Sequence, residues 1–262
     1  MKISKVSLIY IIAVYIFLFS PLFVVIVSSF NADDVVQFPP KNWSLNWYGR
    51  ALLNQDFLDS LIYSTQAAFF TMVFSMILGV PAALSIVRYS NRITKFARTL
   101  ALLPLTFSHA IIGLALLEFF LITLRLQINM WCLVAGHTLI CIPFVVQIVG
   151  SSIYGFNRTH EEAARTLGAT PLQTMFKITL PIIKPGLVTA AVFSFIISFD
   201  DVGISLFLTA PGKVTIPIRM FQYVETHYDP TIAVISTFLI IYAMVMLVLL
   251  QRLGTLDQVF RG

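Results

Sequence analysis

Apolar residues in this chain gather into long, charge-poor runs separated by short polar connections, and the length of the runs is the length a bilayer dictates. A helix of about 20 apolar residues spans a hydrocarbon layer about 30 Å thick. Six runs reach that size: residues 6–30, 60–87, 97–124, a fourth within 127–154, then 182–206 and 231–251. Glu118 interrupts the third, Asp200 and Asp201 fall in the fifth, and the sixth carries no charge. The pattern predicts an all-α integral membrane fold of six transmembrane helices forming one domain over residues 1–262. The apolar core after Lys5 is longer than the roughly 7 to 15 residues of a signal h-region, and no small-x-small cleavage site follows, so the first run is expected to be a retained helix.

The connections differ in character. Residues 31–59 hold Phe38-Pro39-Pro40, Trp43, Trp47 and Tyr48, a density of amphipathic rings suited to the lipid-water boundary. Ser44 is placed to cap a short surface helix there, with Leu45, Tyr48 and Leu52 facing lipid or protein. Residues 209–230 are polar and broken by Pro211-Gly212 and Pro217, which predicts a loop with at most one short helix.

The connection at about 158–181 is different again, because it carries two helix-start signals. Thr159 and Glu162 are spaced as a capping box, worth about 1 kcal/mol for the cap, and Gly168 supplies a left-handed stop. Thr170 and Gln173 repeat the box, with Pro171 at the first helical position, where a missing amide costs nothing. Two short helices result, too polar for lipid and too short to be stable alone.

Charge then sets orientation. Of the 262 residues 58% are hydrophobic and 11% charged, so the formal charge of +5 is concentrated in the connections. Twelve Lys and Arg lie on one side: Lys2, Lys5, Arg88, Arg92, Lys95, Arg98, Arg158, Arg165, Lys177, Lys184, Arg252 and Arg261. Five lie on the other: Lys41, Arg50, Arg125, Lys213 and Arg219. Both termini are therefore expected in the cytoplasm, and the charge reports topology rather than nucleic-acid binding. Cys132 and Cys141, within the fourth run, read as buried small hydrophobes and suggest no disulfide. Gly212-Lys213 has the ending of a phosphate loop, but Phe207 stands where its first glycine belongs, so no ATP site is expected in this chain. No Ser/His/Asp, Cys/His or metal-ligand arrangement points to catalysis or a metal.

Glu162-Ala163-Ala164, three residues, Gly168, nine residues, then Ile178-x-Leu180-Pro181 resembles the EAA loop of ABC importer permease subunits at every position. Ser29-Phe30-Asn31, Trp47-Tyr48 and Ser198-Phe199-Asp200-Asp201-Val202 are similar to the spermidine/putrescine-type permeases. The resemblance implies a type I importer permease fold, a multi-pass bacterial inner-membrane location, and a cytoplasmic coupling helix pair between helices 4 and 5. It places Glu162, Ala163, Ala164 and Gly168 against a cytoplasmic ATPase dimer, which would hold ATP and Mg. A second homologous permease and a periplasmic or surface solute-binding protein complete the implied assembly. The implied substrate is a polyamine, with an opine, an aminophosphonate or another small amino compound as the alternative. An ion-coupled secondary transporter and a membrane scaffold are the rivals from other classes.

Ionisable residues at mid-membrane cost about 2.5 to 3.5 kcal/mol and are kept for cavities, partners or water. Asp201 aligns at helical spacing with Ser194, Ser198 and Ser205, a polar stripe expected to line the pathway, while Asp200 points 100° away. The alternative is that both acids mark the outer end of the fifth span. Glu118 is a pathway candidate or a partner for Arg125 or a second permease. His109 reads as a satisfied polar residue or a pathway residue. It stands about where similar polyamine permeases carry a Pro-Asp pair, so here one acid is absent.

Overall fold

The computed structural model describes residues 5–89, 91–155, 159–210 and 212–254. Of the basic residues counted above, Lys2, Arg158 and Arg261 lie outside them, as does Pro211 of the predicted loop break. The described residues are overwhelmingly helical, and their contacts gather them into two units.

One unit comprises residues 1–58 and 219–247. Its first helix, α1 (Lys5–Ser28), is apolar all round, and residues 7–24 are exposed, the surface expected of a segment that meets lipid or another chain. After it the chain folds back through a bridge between Asn31 and Trp43. The short helix predicted here forms as α2 (Asn46–Leu53), but Ser44 is not its cap: the N-cap is Leu45, which makes no side-chain cap bond, and Ser44 Oγ accepts the Asn46 amide at 3.1 Å in the turn that leads into it. The face it buries is Trp47 and Ala51, whereas Leu45 and Leu52 are exposed. Tyr48 joins a ring cluster with Phe30 and Phe238 and hydrogen-bonds Ser29 at 2.6 Å. The rings of this connection thus partly serve packing within the unit.

The second unit comprises residues 59–218 and 248–262. Its axis is α6 (Met130–Tyr154), started by Asn129, whose side chain accepts the amides of Trp131 and Cys132. Leu133, His137, Cys141, Val145 and Val149, each four residues on from the last, form a wholly buried stripe along it. Two clusters build on that stripe. One gathers Tyr63, Phe120, Leu133, Ile140, Ile204 and Leu208, the other Leu84, Val145, Val149, Ile153, Ile183 and Ala190. The long helix α3 (Gln55–Arg88) supplies Tyr63 and Leu84. Cys132 and Cys141 are buried and unbridged.

Two of the predicted spans are not single helices. The third divides into α4 (Arg92–Leu102), a 3-10 turn at Leu103–Thr106, α5 (His109–Glu118) and a π-helical turn at Phe119–Thr123, with a 103° bend at the break. Pro104 limits the backbone there, and Phe107 and Ser108 are extended, which a hydropathy pattern does not register. The fifth is α9 (Lys184–Asp200), bent by 71° from α8 (Pro171–Ile182), which precedes it. It stops at Asp200, so Asp201 lies beyond the helix in extended conformation and the short helix α10 (Ser205–Leu208) begins afresh. The polar stripe through Asp201 and Ser205 is therefore not the face of one helix. The helices α1, α3 and α6 are each long and apolar enough to cross a membrane, as is each bent pair taken together. Beyond them lie α11 (Ile216–Thr226), the short helix of the last connection, and α12 (Thr231–Gly254), whose apolar stretch is Thr231–Val245.

Candidate functional site

Two polar constellations stand out in the second unit, one in the 158–181 connection and one around Asp201.

The connection forms α7 (Thr159–Thr166) and then α8. The first predicted capping box, at Thr159 and Glu162, borders residues 156–158, which lie outside the described residues. The glycine stop is a Schellman motif: Gly168 has φ +89°, its amide donates to Arg165 O at 2.9 Å, and the Ala169 amide donates to Ala164 O at 3.0 Å. The second box is complete, since Thr170 Oγ1 accepts the Gln173 amide at 3.3 Å and Gln173 Oε1 accepts the Thr170 amide at 2.9 Å. Midway, Met175–Thr179 widens into a π turn.

Of the four residues assigned to the contact with an ATPase, Glu162, Ala163 and Gly168 are exposed, while Ala164 is the buried residue of α7. Leu167, Leu172 and Phe176 are exposed as well, Leu167 at 89%. Residue Glu161, beside the motif, points inward instead: its Oε1 meets Arg88 Nη2 at 2.5 Å and accepts Thr179 Oγ1 at 2.5 Å.

Asp201 is 6% exposed and sits at the centre of the other constellation. Its Oδ1 accepts the amides of Ile204 at 2.8 Å and Ser205 at 3.3 Å, which starts α10 in the manner of a capping residue. His109 Nδ1 donates to its Oδ2 at 2.6 Å, and His137 Nε2 lies 3.5 Å from Oδ1. His137 itself bonds Ser198 Oγ at 2.8 Å and Ser205 Oγ at 3.2 Å. Glycines let the backbones close: a Cβ on Gly203 would stand 2.6 Å from His109 Cβ and 2.9 Å from Ala110 N. Asp201 thus ties the start of α5, the first half of α6 and the end of α9 together; Ser198 joins it through His137, while the buried Ser194 turns its hydroxyl to Ala190 O at 2.9 Å.

The remaining candidates lie apart. Asp200 is exposed at the last residue of α9, and Glu118 is exposed at the end of α5, with no ion pair to Arg125 among the described residues. Sequence reasoning passed over His137, the one Asp, Glu, Lys, Arg or His within residues 130–154; counting histidine as neutral hid that signal. A cavity of about 350 Å³ opens elsewhere, lined by Asp59, Ser60, Tyr63, Gln66, Met130 and Lys213. Among the described residues no group of three or more His, Cys, Asp or Glu could hold a metal ion.

Comparison with known proteins supplies the family. The model of the binding-protein-dependent transport system inner membrane component matches residues 75–256. The spermidine/putrescine transport system permease protein PotC of Haemophilus influenzae is 29% identical over 238 residues, 91% of this chain and 92% of that protein. The putrescine transport system permease protein PotI of Escherichia coli (strain K12) is 30% identical over 235 residues, 86% of this chain and 82% of that protein. Among solved structures, a bacterial ABC transporter involved in the import of the acidic polysaccharide alginate shares the fold. Its TM-score is 0.74 at 20% identity, over 96% of this chain and 99% of that one. The chain belongs to the family of binding-protein-dependent transport system inner membrane components.

Proposed function

We propose that this permease subunit forms half of the solute pathway of an ABC importer for a polyamine, with its termini and the 158–181 loop in the cytoplasm. The observation that carries the reading is the loop: α7, stopped by Gly168, and α8, started by a complete capping box, present Glu162, Ala163 and an apolar trio to solvent. Such a surface has the chemistry of a docking face for a soluble partner. ATP and Mg belong on that partner, an ATPase dimer, and a second permease and an external binding protein complete the assembly. The polyamine assignment rests on similarity to PotC and PotI along most of the chain. Asp59, Tyr63 and Gln66 around the 350 Å³ cavity offer a carboxylate, a hydroxyl and an amide to an amine, beside the opposing ammonium of Lys213.

One observation favours a less cationic solute, such as an opine, an aminophosphonate or another small amino compound. Asp201 is already engaged by His109 and two backbone amides, so it offers no free charge to a polycation.

The complete importer, reconstituted with its co-encoded binding protein, is expected to take up labelled putrescine or spermidine only with ATP. Uptake driven by an ion gradient without nucleotide would remove the importer reading. ATP-driven uptake of a different solute would remove the polyamine alone.

A further inference from the structure

Two adjacent glutamates open α7, and the structure gives them opposite surroundings. Glu162 is exposed, whereas the Glu161 side chain retains 12% of its surface and the Arg88 side chain 25%. Arg88 is the last residue of α3 and Glu161 lies in the first turn of α7. A cation at a helix C-terminus and an anion at a helix N-terminus each complement the local dipole, so the pair joins two helix ends in the favourable sense. The third member is buried: Thr179 Oγ1 donates to Glu161 Oε1 at 2.5 Å, and Arg88 Nη2 reaches Thr179 Oγ1 at 3.2 Å.

Thr179 closes the π turn of α8, the kind of widened turn that recurs at functional positions. The ring of three bonds therefore connects both helices of the loop to the end of α3, across 73 residues of sequence for Arg88 to Glu161 and 91 for Arg88 to Thr179. The loop's other attachments differ in kind. Met175 and Leu180 of α8 pack against the apolar cluster that includes Leu84 of α3, whereas Ala164 is the one buried residue of α7 and Gly168 leaves the joint between α7 and α8 with no contact that a side chain would meet. A short helix held by so little apolar burial moves with whatever polar clamp holds it.

We propose that Arg88, Glu161 and Thr179 form a strut that passes movement of the loop directly to α3, with Arg88 as a positioning residue that contacts neither solute nor nucleotide. Glu162 faces the partner and Glu161 faces the strut. The proposal rests on the importer reading above. Its effect is on coupling, the solute moved per ATP hydrolysed, rather than on docking.

The test uses the complete importer in proteoliposomes and measures ATPase co-purification, ATP hydrolysis and uptake for Arg88→Gln, Glu161→Gln, Thr179→Val, Thr179→Ser and the exchange Arg88→Glu with Glu161→Arg. The expected result is retained assembly, with solute moved per ATP lower by roughly 2- to 30-fold in the first three variants. Thr179→Ser, which keeps the hydroxyl, and the exchanged pair should recover a substantial part of it. An unchanged ratio in assembled Arg88→Gln and Glu161→Gln importers overturns the strut. So does loss of ATPase binding in step with uptake, because the ring would then only fold the loop. If the wild-type importer shows no ATP-driven uptake, the parent reading falls first and separately.

Discussion

His109 and Asp201 are 92 residues apart in sequence, and their side chains meet at 2.6 Å. The bond closes the break between α4 and α5 onto the segment that follows α9. Removing the carboxylate leaves two backbone amides and the His109 imidazole without their acceptor, beside a carboxylate position that is itself buried. Asp201→Ala is expected to cost about 3 to 5 kcal/mol and Asp201→Asn, which keeps an acceptor, about 1 to 3. Thermal unfolding of the detergent-solubilised subunit checks this. A Phe substitution at His109 that unfolds at the wild-type temperature would show that the bond is not structural.

Gly203 faces the same junction. A methyl group there meets His109 and the Ala110 backbone below 3 Å, and the backbone atom cannot step aside as a side-chain tip can. Gly203→Ala is expected to destabilise by about 1 to 3 kcal/mol. Wild-type yield and melting temperature in the same detergent would count against so tight a junction.

Gly168 tests the opposite situation. With φ +89° and open space around it, a side chain is strained by the backbone alone, by about 1 to 2 kcal/mol. Gly168→Val should weaken ATPase co-purification more than Gly168→Asn, since Asn tolerates the left-handed region. Equal co-purification of both variants with the wild type would remove the glycine from the coupling contact.

Thr170→Ala removes one half of a complete capping box and is expected to cost the loop about 1 kcal/mol. The readout is faster amide exchange in α8, with exchange in α6 unchanged.

These local devices were legible in the sequence because each is written within four residues. Thr170, Pro171, Gln173 and Gly168 carry their own geometry, so the shape of the loop could be read before any packing was known. The apolar runs that became α1, α3 and α6 were legible for a different reason, since each is an unbroken stretch long and apolar enough to cross a membrane. What could not be read was decided by distant partners. Asp201 was placed on a helical stripe, but the helix stops one residue earlier and the carboxylate is taken by His109 and the amides of α10. Glu161 carried no signal of its own in the sequence, because its partner Arg88 lies 73 residues earlier. The bend near Pro104 needed two extended residues that hydropathy does not report.

At the other unit, Asp229 accepts the Thr231 amide at 2.9 Å and the Tyr223 hydroxyl at 2.7 Å. Burial pushes its carboxyl up, but bonds from Thr231 and Tyr223 outweigh that and hold it below the usual carboxylate range. A folded-state value below the unfolded one, about 3.9, contributes stability above that pH and loses it as pH falls through the folded value. Melting temperature should therefore fall on acidification below about pH 4, and Asp229→Asn should flatten that fall. A variant with the wild-type pH profile would exclude Asp229 as a source of it.

Leu167, Leu172 and Phe176 are exposed on the loop's outer surface. If the loop lies in the cytoplasm, as proposed, a membrane can hide the apolar helices of a newly made subunit but not these three. A copy made in excess of its soluble partner would display the same sticky patch that chaperones and proteases recognise on misfolded chains. The lifetime of the subunit would then follow assembly, so the stoichiometry of the complex would be kept by removal of the orphan as well as by expression.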